Sequence, residues 1–337
     1  MKRLLFVLIA LAAAGNGASA SAVDLAAQVA QTNGWVAWRV PMIAGAGSPC
    51  CYAQNGRIAE NAGCDLDGRN GSFTTDGNSA KPDTTLSVYL RVAHGHIDRV
   101  RAFASSCPVT SATAIRMIDA VEPVQSVNVL SDWIEDKPKS AEDDALAALA
   151  FHADASATRA LATLATPTHV GEPRKQALFW LGQARGAEGA DLVEHYATTD
   201  ADPDVREHAV FVLTQSRSGD SYAKILAISR SDRTDHVRSQ ALFWMAQTDD
   251  PRAAADITSA LASESSADVR EEAVFALSQL KEGRAEDALI AVVRGTYPRE
   301  VKKQALFWLG QSGSPRALKA LDEVLAKTSV ADKRSSK

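Results

Sequence analysis

One phrase governs what this chain can fold into, because the chain repeats it at a fixed interval. Its last copy reads Val301-Lys302-Lys303-Gln304-Ala305-Leu306-Phe307-Trp308-Leu309-Gly310-Gln311. Earlier copies run Val269 to Gln279, Val237 to Gln247, Val205 to Gln215 and Pro173 to Gln183, evenly spaced along the chain, and a worn copy fits Ala141 to Phe151. Self-similarity at such a period marks a stacked repeat, in which each unit is one supersecondary element. At about 100° per residue, the opening Val, the Ala four residues on, the Leu or Val at five and the Leu or Met at eight share one side. In the last copy these are Val301, Ala305, Leu306 and Leu309, so each copy is expected to be a helix with one buried stripe.

A second column keeps the same register. Leu161, Val193, Ile225, Ile257, Leu289 and Leu321 recur at the same interval, and four residues before them stand Ala157, Gly189, Ser221, Ala253, Ala285 and Ala317. A small residue one turn before a branched apolar one lets two helix backbones approach closely. Each unit is therefore expected to hold two helices, joined by turns such as Asp200 to Asp204, with Pro203 and Pro298 just before helix starts where a missing N–H costs little. One pair cannot bury its own stripe. Its large apolar side chains, at roughly 1.5–3 kcal/mol apiece, offset backbone ordering of about 1–2 kcal/mol per residue only when neighbouring pairs share the burial.

The phrase resembles the second helix of bilin-lyase-type (PBS lyase) HEAT repeats, Val-Arg-x-x-Ala-Ala-x-Ala-Leu-Gly. Val269-Arg270 through Ala273, Ala276 and Leu277 match it closely, and Gly182 and Gly310 supply the glycine. The resemblance covers residues 141–327 and implies a mainly α fold, a right-handed α-solenoid of about six HEAT-like helix pairs. It does not fix an activity, since similar repeats occur in scaffolds, bilin lyases and an iron-dependent hydroxylase family.

Ahead of the repeats the sequence changes character. Residues 1–22 read as an export signal: Lys2-Arg3, an apolar run from Leu4 to Ala14, and small residues at Ala18-Ser19-Ala20 or Ala20-Ser21-Ala22. An exported, periplasmic location follows as the expectation, and removing Lys2 and Arg3 takes the formal charge from −5 to −7. That mildly acidic product gives no reason to expect nucleic acid binding, and no second apolar run approaches membrane-spanning length. Residues 23–136 are richer in Gly, Pro, Asn and Thr and hold all four cysteines, Cys50, Cys51, Cys64 and Cys107. In an exported chain these imply disulfides. A bond between the adjacent Cys50 and Cys51 would strain the peptide, which leaves Cys50–Cys64 with Cys51–Cys107, or Cys50–Cys107 with Cys51–Cys64. The CxxC pairs common in zinc modules are absent, so no metal is expected.

Three strands are readable in this part: Trp35 to Ile43, Thr85 to Ala93 and Ile97 to Ala104, the last two joined at His94-Gly95-His96 as a hairpin. Gly63 to Pro82 is expected to be a long surface loop, and Val124 to Ile134 a helix leading into the first repeat. The whole is expected to be a small disulfide-bonded α+β or mostly β domain. A linker at 137–140 and a flexible tail at 328–337 complete the division.

Function is expected on the second helices. Phe179, Phe211, Phe243, Phe275 and Phe307 lie roughly opposite the buried stripe, where the family pattern is open. Gln183, Gln215, Gln247, Gln279 and Gln311 follow four residues later on the same side. Trp180, Trp244 and Trp308 sit at the stripe's edge, alternating with Val212 and Ala276. In stacked pairs the second helices line the concave surface, so rings and amides would form a ladder suited to an extended peptide or another protein. The competing role is structural, with the rings packed on one another and the amides solvated. No Gly-x-Ser-x-Gly elbow, His-Glu-x-x-His pair or phosphate-binding glycine loop is present. None of the seven histidines precedes a Glu, so the hydroxylase metal site does not carry over. His94 and His96 lack a third ligand, and Glu194-His195 and His208 read as surface. A scaffold or peptide groove, with no cofactor and no catalytic residue, is thus the leading expectation, and a maturation factor or enzyme of the hydroxylase or lyase type is the alternative.

Overall fold

The computed structural model describes residues 23–45, 49–51, 64–68, 73–75, 83–136, 142–169, 172–216, 220–281 and 283–323. The expected export signal and the 137–140 linker lie outside them, as does the 328–337 tail.

After a short helix α1 (Leu25–Ala30), strand β1 (Gly34–Pro41) begins the N-terminal part. Short strands β2 (Pro49–Cys51), β3 (Cys64–Asp65) and β4 (Phe73–Thr75) precede the hairpin β5 (Thr85–Ala93) and β6 (His96–Ala104), which β7 (Val109–Thr110) and β8 (Ile115–Met117) follow. The main sheet runs β6-β5-β1-β8, antiparallel except for β8, which is parallel to β1. The hairpin turns where expected: His94 and Gly95 both have positive φ, as a two-residue turn of this hand requires.

The sheet's two faces have different partners. Val36, Trp38, Val40, Leu86, Val88, Leu90 and Val100 point into the same apolar core as the helices that follow. The other face, with Trp35, Ala37, Tyr89 and Phe103, packs against Cys64, Leu66 and Cys107. Cys50 bonds to Cys107, one of the two pairings left open by the sequence, and Cys64 is disulfide-bonded too. The expected loop from Gly63 to Pro82 is corrected in its described pieces. Cys64–Asp65 pairs in parallel with Val109–Thr110, Phe73–Thr75 pairs with Pro49–Cys51, and Leu66 is fully buried. Strands of two or three residues are too short to show a period, and here neighbouring disulfides hold them.

The helices follow as pairs: α2 (Pro123–Asp136) with α3 (Glu142–Phe151), α4 (Ala155–Leu164) with α5 (Glu172–Ala184), and α6 (Gly186–Thr199) with α7 (Pro203–Gln215). Then come α8 (Ser221–Ser231) with α9 (Asp235–Gln247), α10 (Ala253–Ser263) with α11 (Ala267–Ser278), and α12 (Arg284–Arg294) with α13 (Arg299–Ser312). A further helix occupies 315–323. The second helices pack in chain order, α3 on α5, α5 on α7, and so to α13. The stripe reads as expected: Val205, Ala209, Val210 and Leu213 are buried in α7, as are Val237, Ala241, Leu242 and Met245 in α9. The small column is a packing requirement, since a Cβ on Gly189 would lie 2.0 Å from the Leu181 carbonyl oxygen.

A column the apolar stripe does not reveal runs through the stack. Arg174, Arg206 and Arg238 each follow the opening residue of a second helix and reach the acid that ends the next pair's first helix: Asp200, Asp232 and Glu264. Arg206 holds Asp232 at 2.9 and 3.1 Å, with both side chains almost fully buried. Its other nitrogen donates to the carbonyl oxygen of Asp200 at 2.9 Å, as Arg238 does to that of Asp232 and Arg270 to that of Glu264. Each carboxylate also accepts a backbone N–H two residues on, from Asp202, Thr234 and Ser266. The result is a continuous polar rail joining consecutive pairs.

The sheet meets the first helix pair through a second buried polar network. Trp38 donates its indole N–H to Ser126 Oγ at 2.7 Å, Ser126 Oγ lies 2.8 Å from His152 Nε2, and His152 Nδ1 lies 2.6 Å from the Ala148 carbonyl oxygen. Ser126 and His152 have no exposed surface. Satisfying every group requires His152 to be neutral, with its proton on Nδ1 facing Ala148 and the Ser126 hydroxyl donating to Nε2. Nearby, Ile43 N bonds the Phe151 carbonyl and Ala153 N the Pro41 carbonyl, both at 2.9 Å, so the end of β1 continues into the end of α3.

Burial pushes the His152 imidazole down to about 4 from its usual 6.5. An unfolded chain therefore binds a proton between these values that the folded chain refuses. Stability should be full above about pH 6.5 and fall as pH drops, losing on the order of 3 kcal/mol by pH 4 from this residue. Denaturant unfolding across that range measures it, and His152→Gln should flatten the slope. The rail gives a second expectation. Arg206→Ala strands Asp232 and should cost about 3–5 kcal/mol. Breaking the exposed pair of Arg294 with Glu323 by Arg294→Ala should cost under about 1 kcal/mol. Melting curves of the two variants decide between them.

Candidate functional site

The second helices turn one row of side chains outward along the stack. On it Phe179, Phe211, Phe243 and Phe275 are half-buried and Phe307 is exposed. Each ring is placed by its neighbours. Phe211 packs on Trp244 of the next second helix at 4.9 Å between centroids, and Phe275 on Trp308 at 5.2 Å. Phe243 stacks on Phe275 at 6.0 Å with planes 7° apart, and also touches Trp244 at 5.1 Å. At the start of the row Trp180 lies edge-on between Phe151 and Phe179. The alternation of large and small at the stripe's edge has a cause here. Where Trp244 and Trp308 stand, the preceding Phe has a ring to lie against. Where Val212 stands, it presses on Gly182, and a Cβ on that glycine would come within 2.3 Å of Val212 Cγ1.

The rings are thus shared between packing and surface, and so are three of the amides. Gln183, Gln247 and Gln279 are half-buried and Gln215 and Gln311 exposed. Gln215 and Gln279 donate only to their neighbours Thr214 and Ser278, at 3.1 and 3.0 Å. Gln183, Gln247 and Gln311 make no side-chain hydrogen bond among the described residues. Unpaired amides beside apolar rings can take up the donors and acceptors of a peptide backbone. A cleft of about 570 Å³ opens on this side between α11 and α13, lined by Arg270, Glu271, Glu300, Lys303, Gln304 and Phe307. Elsewhere along the row the indole N–H of Trp180 is buried with no partner among the described residues, as is Gln304 Oε1 beside the cleft.

His208 departs from its expected place as a surface residue. It is half-buried on this side, with Nε2 2.9 Å from the Lys175 carbonyl oxygen, bridging α7 to α5. Glu194 is tied to Lys224, which also holds Asp191; burial would lower that ammonium, but the two carboxylates outweigh it and raise it. His94 and His96 are exposed at the hairpin turn. Cys50, Cys64 and Cys107 bring three sulfurs together, and all are committed to disulfides. The Ser126–His152 contact has the length of a nucleophile–base pair, yet both residues are sealed in the core and no carboxylate orients the ring.

HEAT repeats are matched in sequence at residues 189–278, 222–306 and 254–336, windows that step by one repeat. Residues 189–336 are HEAT repeats. Among solved structures, human deoxyhypusine hydroxylase in complex with glycerol is similar at 19% identity over 59% of this chain and 77% of its own, with a TM-score of 0.26. The complex of CpcE and CpcF of phycocyanin lyase from Nostoc sp. PCC7120 is similar at 18% identity over 59% of this chain and 80% of its own, with a TM-score of 0.30. Neither likeness brings an activity to the HEAT repeats described here. No curated protein matches the sequence. Among the described residues no helix is long and apolar enough to cross a membrane.

The two glycines of the row should respond oppositely to alanine. Gly182→Ala forces a methyl against Val212 and is expected to lower stability by about 1–3 kcal/mol. Gly310, where a Cβ would meet nothing within 4 Å, should accept Ala with a gain of up to about 1 kcal/mol. Melting temperatures of the two variants check both.

Proposed function

We propose that this HEAT-repeat chain is exported and works as a protein-binding scaffold, its helix pairs continuing as a right-handed solenoid whose concave side grips an extended peptide segment of a partner. The observation that carries the reading is the row of amides. Gln183, Gln247 and Gln311 stand beside the aromatic rings with no partner among the described residues, each two repeats from the next. Core packing gives no reason to keep glutamine at one position in five copies. A peptide backbone does, because a side-chain amide can donate to a carbonyl and accept from an N–H at once. Rings at the next turn offer the apolar pockets between such contacts. Export is supported by the apolar leader at residues 1–22 and by the cysteines, which are bonded where the structure describes them. The N-terminal part, held as a unit by those bonds, then serves as the fixed end of the scaffold.

A pull-down from an envelope fraction, read by mass spectrometry, tests this. Replacing Gln183, Gln247 and Gln311 together by Ala is expected to abolish most partner capture while shifting the melting temperature by no more than about 2–4 °C, since surface changes of this kind cost little stability. Capture that survives the triple change would sink the groove.

A further inference from the structure

The arginine rail ends on a fork that is anchored like the others and meets no acid among the described residues. Arg206 uses its guanidinium in two halves. Nη1 donates to the carbonyl oxygens of Asp200 and Ala201 at 2.9 and 3.3 Å, while Nε and Nη2 hold the Asp232 carboxylate. Arg238 likewise turns Nε and Nη2 on Glu264, at 3.0 and 3.2 Å. Arg270 keeps the first half of this arrangement, its Nη1 donating to the carbonyl oxygens of Glu264 and Ser265 at 2.8 and 3.0 Å. For its Nε and Nη2 no carboxylate among the described residues serves as partner.

The cause lies in the loop between α12 and α13. Asp232 and Glu264 are themselves the C-caps of α8 and α10, whereas α12 ends one position sooner, with Gly295 as its cap. Thr296 stands in the acid's place. Pro298, which has no N–H, stands in the place of Thr234 and Ser266, whose backbones donate to the acid at earlier steps. The cleft of about 570 Å³ between α11 and α13 opens here, with Arg270 and Pro298 in its wall, and it reaches Gln304 and Phe307 of the outward row. The other charged groups of the lining have partners: Lys303 lies 3.5 Å from Glu300, and Glu271 accepts from the Gln304 amide. Arg270 is left with a planar pair of donors and no acceptor for it.

We infer that the α11–α13 cleft takes an Asp or Glu side chain of the bound segment, its two carboxylate oxygens on Nε and Nη2 of Arg270. A guanidinium edge matches a carboxylate in two parallel hydrogen bonds, which an ammonium cannot do. The repeats themselves show what this fork holds, since at each earlier step its partner is a side-chain carboxylate on a chain that runs on in both directions. The two carbonyl contacts already orient Arg270, so little freedom is lost when the acid arrives. Because the cleft continues the outward row, the site rests on the groove reading and gives the gripped segment an acid at one fixed place.

A library of ten-residue peptides, acetylated and amidated at their ends and fixed at one position at a time, tests it on the full, disulfide-bonded chain. Bound peptides are expected to be enriched in Asp or Glu at one position. Changing that residue to its amide should weaken binding at least about tenfold. Arg270→Gln should erase the preference while peptides still bind. Thr296→Glu, which supplies an acid from within as Glu264 does one repeat earlier, should erase it too without lowering the melting temperature. Lys303→Gln should leave it in place. Binding without any preference for an acid overturns the inference and leaves the groove standing, whereas no binding by any peptide sinks both. A preference that survives in Thr296→Glu, or in a folded Arg270→Gln, also overturns it. So does one that appears only when the peptides carry a free C-terminal carboxylate.

Discussion

A guanidinium taken out of water must find carboxylate and carbonyl oxygens, and the stack is arranged to supply them at every step. Apolar burial gives most of the free energy that holds helix pairs together, but it is non-directional; one stripe of Val, Ala and Leu could slide on the next by a turn. Arg206 cannot slide. Its fork must meet both oxygens of Asp232 ahead and the carbonyl of Asp200 behind, and a shift of one turn would bury a charge without a partner. The rail thus sets the offset between pairs, while the stripe makes them adhere. It runs out at Arg270, which keeps the carbonyls of Glu264 and Ser265 but has Thr296 where earlier pairs place an acid. Beyond that point the register rests on packing, with the rings of Phe275 and Trp308, and on the Gln304 amide donating to the Glu271 carboxylate across the same step.

With the offset fixed, the side chains on the outward row have little freedom left. A ring on one second helix must meet whatever the next one offers a repeat later. Trp answers Phe in alternate copies, and Val212 closing on Gly182 answers in between. That two-repeat rhythm leaves the rings half-buried, anchored at one edge and open at the other. An anchored ring loses little conformational entropy when something binds on it, which is the condition for a rigid recognition surface. The amides one turn on are not needed for this packing, and they are the part of the row left with free hydrogen-bonding capacity.

Much of this was legible in the sequence, for reasons that are physical. The fixed period announces the helix pairs because each unit solves the same burial problem, and β5 shows its strand period through Leu86, Val88, Leu90 and Val92, which meet the helical core. The arginine column was equally visible as Arg174, Arg206, Arg238 and Arg270. Pairing it with Asp200, Asp232 and Glu264, which follow the first three at one constant spacing, would have exposed the rail. An apolar-stripe reading passes over it because it takes charge for surface. His208 was misplaced for the same reason. The short strands β2, β3, β4 and β7 were beyond reach, since their pairing is dictated by cysteines whose partners spacing alone does not choose. The Trp38–Ser126–His152 network could not be read either, because its members lie far apart in the chain and no repeat relates them.

That network bears on how the stack begins. At its start the stack does not expose an apolar face: the sheet lays Val36, Trp38 and Val88 against α2 and α3, and the indole, hydroxyl and imidazole between them leave no polar group wanting. Buried polar contacts of this kind add little net stability but reject any docking that misplaces them. The sheet therefore closes one end in a single orientation.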